Sequence, residues 1–146
     1  MKRIVTALAL AACAISASAQ TSVVLHGLSH HFTERGNGKQ WNQQNLGVAG
    51  RYSVNDDLSL QGGVYRNSEF RTSVYALADI TPLHIGPVSV GGFLGAATGY
   101  EARTATPIAG AVVRVQIDRV ALSARFAPRA GVGGSAVASV EVGYSF

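Results

Sequence analysis

The sequence predicts an all-β fold, an eight-stranded antiparallel up-and-down transmembrane β-barrel. Three observations carry that prediction. The 146-residue chain divides, after its first nineteen residues, into eight short segments of strand character separated by turn signals. Within these segments side chains alternate, one face apolar and the other polar or charged, which is the period of a strand. The last segment, Ala136 to Phe146, keeps that alternation to its terminal aromatic, with Tyr144 two positions earlier.

That ending is similar to the terminal strand of bacterial outer-membrane barrels, in which a final Phe and alternating apolar residues are read by the assembly machinery. Phe146 is therefore the expected contact with that partner. The other end agrees. Lys2 and Arg3 precede the apolar run Ile4 to Ile15, and Ala17-Ser18-Ala19 follows it, the order of a secretory signal peptide cleaved near Ala19. The apolar run is shorter than the ~20 residues a membrane-spanning helix needs. Leu10-Ala11-Ala12-Cys13 also fits a lipoprotein cleavage box. Cleavage at Ala19 removes the one cysteine, so a chain of residues 20–146 has no disulfide. Residues 1–19 are thus expected to be a signal peptide and 20–146 a single barrel domain in the bacterial outer membrane. Lys2 and Arg3 leave ten basic residues against eight acidic ones in that domain, too small an excess for a nucleic-acid footprint.

The strands are expected in order. The first is Val23 to Phe32, ahead of a polar loop from Thr33 to Gln43. Asn45 to Val54 is the second, closed by Asn55-Asp56-Asp57, and Leu58 to Tyr65 is the third, with Arg66 to Arg71 turning the chain. Thr72 to Ile80 is the fourth, and Thr81 to Pro87 a connection marked by Pro and Gly. Val88 to Thr98 and Ile108 to Ile117 are the fifth and sixth, with a loop from Gly99 to Thr106 between them. Asp118-Arg119 turns the chain into Val120 to Ala127, and Pro128 to Ser135 leads to the last strand. The lengths suit strands tilted across a bilayer. Turns around Asp56, Pro82 and Asp118 are expected on the periplasmic side, with the loops from Thr33, Arg66, Gly99 and Pro128 outside.

The faces predict an inverted barrel, apolar outside and polar within. Leu46, Val48, Tyr52 and Val54 oppose Asn45, Arg51 and Ser53, while Val120, Leu122 and Phe126 oppose Ser123 and Arg125. Enclosed charges need partners. Arg51, Arg114, Arg125, Glu141, Gln61 and Gln116 are the expected interior network. A soluble barrel would carry the same residues on a solvated outer face.

Neither a metal-ligand spacing nor a phosphate loop is present, so no cofactor is expected. The chemistry-bearing cluster is Ser29-His30-His31-Phe32 at the end of strand one, together with Tyr65-Arg66-Asn67-Ser68-Glu69 at the end of strand three. Antiparallel strands bring both ends to one rim. A His and a Ser there suit acyl transfer, with His as general base. Pro107 and Pro128 lie at the same end of strands six and seven, where missing backbone donors would leave a lateral gap.

The order of these landmarks resembles the outer-membrane lipid A palmitoyltransferase family, eight-stranded barrels that move a palmitoyl chain from phospholipid to lipid A. Trp41-Asn42-Gln43-Gln44-Asn45-Leu46-Gly47 resembles its aromatic-Asn-Glu stretch and the Gly-rich strand that follows. Gly63-Val64-Tyr65-Arg66-Asn67-Ser68 resembles the strand ending in its catalytic Asp-Ser pair, and Phe126-Ala127-Pro128 its exit from strand seven. The resemblance implies outer-membrane phospholipid and lipid A as partners. It also implies His31 or His30 as the histidine, Ser68 as the serine, and Asn67 where the acid should stand. Asn67 cannot act as a carboxylate, and the family's leading amphipathic helix has no counterpart before strand one. The alternative is a non-enzymatic structural or adhesive outer-membrane barrel with a polar, filled interior.

Overall fold

The computed structural model describes residues 20–35, 38–100, 104–128 and 134–146. The expected signal segment, with Cys13, lies outside them. Eight strands close a barrel in sequence order: β1 Thr21–His31, β2 Gln44–Ser53, β3 Leu58–Arg66, β4 Thr72–Ile85, β5 Val88–Ala97, β6 Thr106–Ile117, β7 Val120–Ala127 and β8 Val137–Ser145. Every neighbouring pair is antiparallel, and β1 pairs with β8 from Ser22–Ser145 to His31–Val137. Closure leaves no sheet with two free edges to satisfy.

The inversion is realised. Leu46, Leu122 and Val142 point outward and are about half exposed or more (65, 52 and 47%), whereas Arg51, Asp79 and Glu141 point inward and are 3% exposed or less. A chain folding in water would do the reverse, because apolar surface is driven out of water. Short turns gather at one end of the barrel, where residues 54–57, 86–87 and 118–119 lie. The longer connections leave from the other end, after β1, β3, β5 and β7.

Two strands depart from the expected boundaries for physical reasons. β4 runs on through Pro82 to Ile85, so the connection expected from Thr81 to Pro87 is mostly strand. Its pairing to β5 shifts between Ile80 and Leu83. A proline has no N–H to give the ladder and is tolerated at such a bulge. The reversal itself falls at Gly86, whose φ of 57° favours glycine.

β1 carries the more consequential irregularity. Its pairing shifts between His26 and Leu28 against β2, and between His26 and Ser29 against β8. Ser22, Val24 and His26 face inward before the step. One extra residue changes the phase, and His31 faces inward after it while His30 faces out. Ladder pairing of β6 with β7 covers Ala111–Phe126 to Ile117–Val120, although β6 continues to Thr106 against β5. Among the described residues the first five positions of β6, Thr106 to Gly110, therefore have no ladder partner on the β7 side. This is where Pro107 and Pro128 were expected to interrupt pairing.

Candidate active site at the loop end of the barrel

The lower half of the interior is a network of charges. Arg51 and Arg125 both bond Glu141, and Arg125 and Arg114 both bond Asp79. Gln61 accepts from Arg51 Nε at 2.9 Å, which orients its amide so that Nε2 donates to Glu141 Oε2 at 3.0 Å and to the Tyr75 hydroxyl at 2.7 Å. Tyr75 then has its own proton left for His26 Nε2, 2.6 Å away. Buried charges of this kind are tolerated only when each is met by a partner.

Two members differ from expectation. Gln116 is not in this network: it sits beside the Asp118-Arg119 turn, open to solvent, and donates to the Asp118 carbonyl at 3.3 Å. Asp79, fully buried, is a centre that sequence reasoning missed. The signal was present, since Ser73, Tyr75, Leu77 and Asp79 share one face of β4.

Above the network lies a cavity of about 140 Å³. Leu77, Phe93 and Ile108 give it apolar walls, His26 and Arg125 form its floor, and Ser68 stands at its mouth. The cavity's volume is well above the roughly 10–15 Å³ needed to admit a single water. Tyr65 and Tyr100 join hydroxyls at 2.9 Å along its side. Burial, and then the neighbouring Tyr65, push Tyr100 above the ordinary tyrosine range, so it stays protonated.

At the mouth the structure brings together two of the three expected site residues. His31, 8% exposed, ends β1, and its Nε2 is 2.8 Å from Ser68 Oγ. His30 points out of the barrel. Asn67 is fully buried but serves another purpose. Its Oδ1 accepts from the Glu69 and Arg71 amides, both at 2.9 Å, while Nδ2 donates to Ser73 Oγ at 3.0 Å and to the Gly99 carbonyl at 2.9 Å. Those four bonds use the full capacity of an amide side chain. Asn67 thus shapes the turn that presents Ser68, with Phe70 in the left-handed region at φ 62°.

The polar stretch after the first loop is the second clamp. Asn42 donates to the Asn67 carbonyl at 3.0 Å, and its backbone amide donates to the Ser68 carbonyl at 2.9 Å. Asn45 donates to the Arg66 carbonyl at 2.8 Å and accepts from Ser29. Gln43 Oε1 accepts from the His31 amide at 3.2 Å. Trp41 lies parallel to the His31 ring, with centroids 5.0 Å apart and planes 14° apart. Trp41, Asn42 and Gln43 were legible only as a resemblance; their work at this site was not.

These features define a small barrel of outer-membrane type with a polar lower core and a serine–histidine pair over an upper cavity. No protein-family model matches the chain, and no curated protein matches it. Among solved structures it is similar to a de novo designed barrel, TMB2.3, with a TM-score of 0.64 and 12% identity, over 89% of this chain and 97% of that one. It is also similar to the Yersinia pestis outer membrane protein Ail, solved in a phospholipid bilayer nanodisc, with a TM-score of 0.54 and 14% identity, over 88% of this chain and all of that one. At such identities the likeness is one of fold.

Proposed function

We propose that this protein resides in the bacterial outer membrane and transfers an acyl chain from phospholipid to lipid A at its loop end. The observation that carries this reading is the 2.8 Å contact between Ser68 and the buried His31 at the mouth of an apolar-walled cavity. Ser68 Oγ attacks the ester carbonyl as its proton passes to His31 Nε2. The leaving alkoxide then takes that proton, which gives an acyl-serine and a lysophospholipid. A lipid A hydroxyl next gives its proton to Nε2 and attacks the acyl-serine, returning Ser68 with its proton. The cavity receives the chain, and the open stretch of β6 above Ala111 offers it a lateral entry from lipid.

A second reading, a non-enzymatic structural or adhesive barrel, is favoured by the charged floor and by the use of Asn67 in the turn rather than as an acid. Mass spectrometry of lipid A from cells with and without the expressed protein separates the two. An added acyl mass that disappears in Ser68→Ala supports the transferase. Unchanged lipid A, with folded protein in the outer-membrane fraction, supports the second reading. Location is checked by deleting Phe146, which is expected to impair insertion through the assembly machinery; normal assembly of the truncated chain would count against it.

A further inference from the structure

His31 has an unusual deficit. Its Nδ1 is buried and has no hydrogen-bond partner among the described residues. In a serine–histidine pair that nitrogen ordinarily faces an acid, which orients the ring and stabilises the imidazolium. Asn67 cannot fill the role, because its side chain is fully committed to the turn. The Gln43 side chain lies against the ring but is uncharged, so a base without a carboxylate partner would be costly to protonate.

The face of the ring, by contrast, is fully furnished. Trp41 lies parallel against it at 5.0 Å, and the indole is itself held by its Nε1–H, which donates to the Thr33 carbonyl at 2.8 Å. Arg35 Cζ lies 5.3 Å from the indole centre, and Arg35 pairs with Glu69 at 3.7 Å. Glu69 directly follows Ser68. The sequence Ser68, His31, Trp41, Arg35, Glu69 therefore returns to its starting point, a closed set of contacts around the imidazole.

We propose that Trp41 does for His31 what a carboxylate does elsewhere: its π face fixes the ring plane and stabilises the imidazolium formed when Nε2 takes the Ser68 proton. The inference rests on the reading of Ser68 and His31 as an acyl-transfer pair. The negative face of an indole attracts a cation and is the strongest of the aromatic faces in this respect. Arg35 shares the same ring and would compete, but its charge is offset by Glu69. Among the described residues the titratable groups around the assembly are His30 from β1, Arg35 and Glu69 from the connections on either side, and Tyr100 with its partner Tyr65. Trp41 is thus a positioning residue rather than one that touches the substrate.

The test uses the full chain folded in detergent micelles and needs no turnover. Trp41 is the one tryptophan of the sequence, so its emission reports this contact alone. Emission is expected to fall on acidification as the imidazolium forms, and the step is expected to vanish in His31→Gln; a step that persists overturns the proposal. The His31 pKa is then followed by NMR in the native chain, Trp41→Phe and Trp41→Leu. It is expected to be highest with Trp and lower by about half a unit to one unit with Leu, with Phe between. A pKa that rises in Trp41→Leu, or is equal in both variants, means that Trp41 only shields the ring, and overturns the proposal. Should Trp41→Leu lose heat-modifiable gel mobility, incorporation of 5-fluorotryptophan weakens the π face at nearly constant shape. An unchanged His31 pKa there overturns the proposal as well. The expected pKa order together with unchanged lipid A would uphold the stack and remove the transferase reading.

Discussion

The two halves of the barrel interior solve the same problem in opposite ways. In the lower half, inward positions of β2, β4, β6, β7 and β8 carry charge, and Arg51, Arg114 and Arg125 share the two carboxylates of Asp79 and Glu141. The upper half carries little charge inside the wall and leaves a cavity bounded by Leu77, Phe93 and Ile108. The lower half therefore derives rigidity from ion pairs that fail together, whereas the upper half depends on turns and clamps that can be altered one at a time. The dense ion pairing resides in one half and the candidate chemistry in the other.

The contrast can be broken most severely from below. Glu141→Ala leaves Arg51 and Arg125 facing each other without their shared carboxylate and should cost about 3–5 kcal/mol, read by urea unfolding in micelles with heat-modifiable gel mobility as the signal. A charge on the outer wall should cost somewhat less. Val142→Arg, on the lipid face, is expected to lose about 2–4 kcal/mol if the site lies near the bilayer midplane, measured in the same way in lipid. Asn67→Asp is a sharper test of the upper half. It restores the acid that the family resemblance asks for, but it replaces two donors with an acceptor set against the Gly99 carbonyl. A loss of about 1–3 kcal/mol and no gain in lipid A acylation are expected. Smaller still, His31→Ala should cost about 1 kcal/mol through loss of the Ser68 bond and the Trp41 stack, while removing any acyl transfer. His30→Ala should change neither.

Much of the lower half could be read from alternation alone, because charge on the face opposite an apolar stripe has few other meanings in a chain of this kind. The faces of β2 and β7 stand as expected, and the strand count and order agree with the sequence reading. Gln116 was misassigned because alternation gives the face and not the height: the residue lies on the inner side but too near the turn to meet the network. The upper half resisted for a different reason. Which histidine faces inward depends on a one-residue step near Gly27, and a bulge leaves no mark in an alternation pattern that glycine has already interrupted. Ser68 stands beside His31 at the rim that the strand ends share, but the identity of the turn, and hence the use of every polar atom of Asn67, is a property of the fold rather than of the dipeptide.

The placement of Glu141 also bears on how the barrel is assembled. Four of the five charged members of the lower network arrive on β2, β4, β6 and β7, and Glu141 arrives on β8. Until that strand docks, three arginines share the single carboxylate of Asp79. Closure also joins segments far apart in the chain, as the Ser22–Ser145 hydrogen bond across 123 positions illustrates, and is entropically the most demanding pairing to make. The last strand therefore delivers the missing negative charge at the most difficult step. A register slipped by two residues would carry Glu141 away from Arg51, so the charge balance itself proofreads the seam.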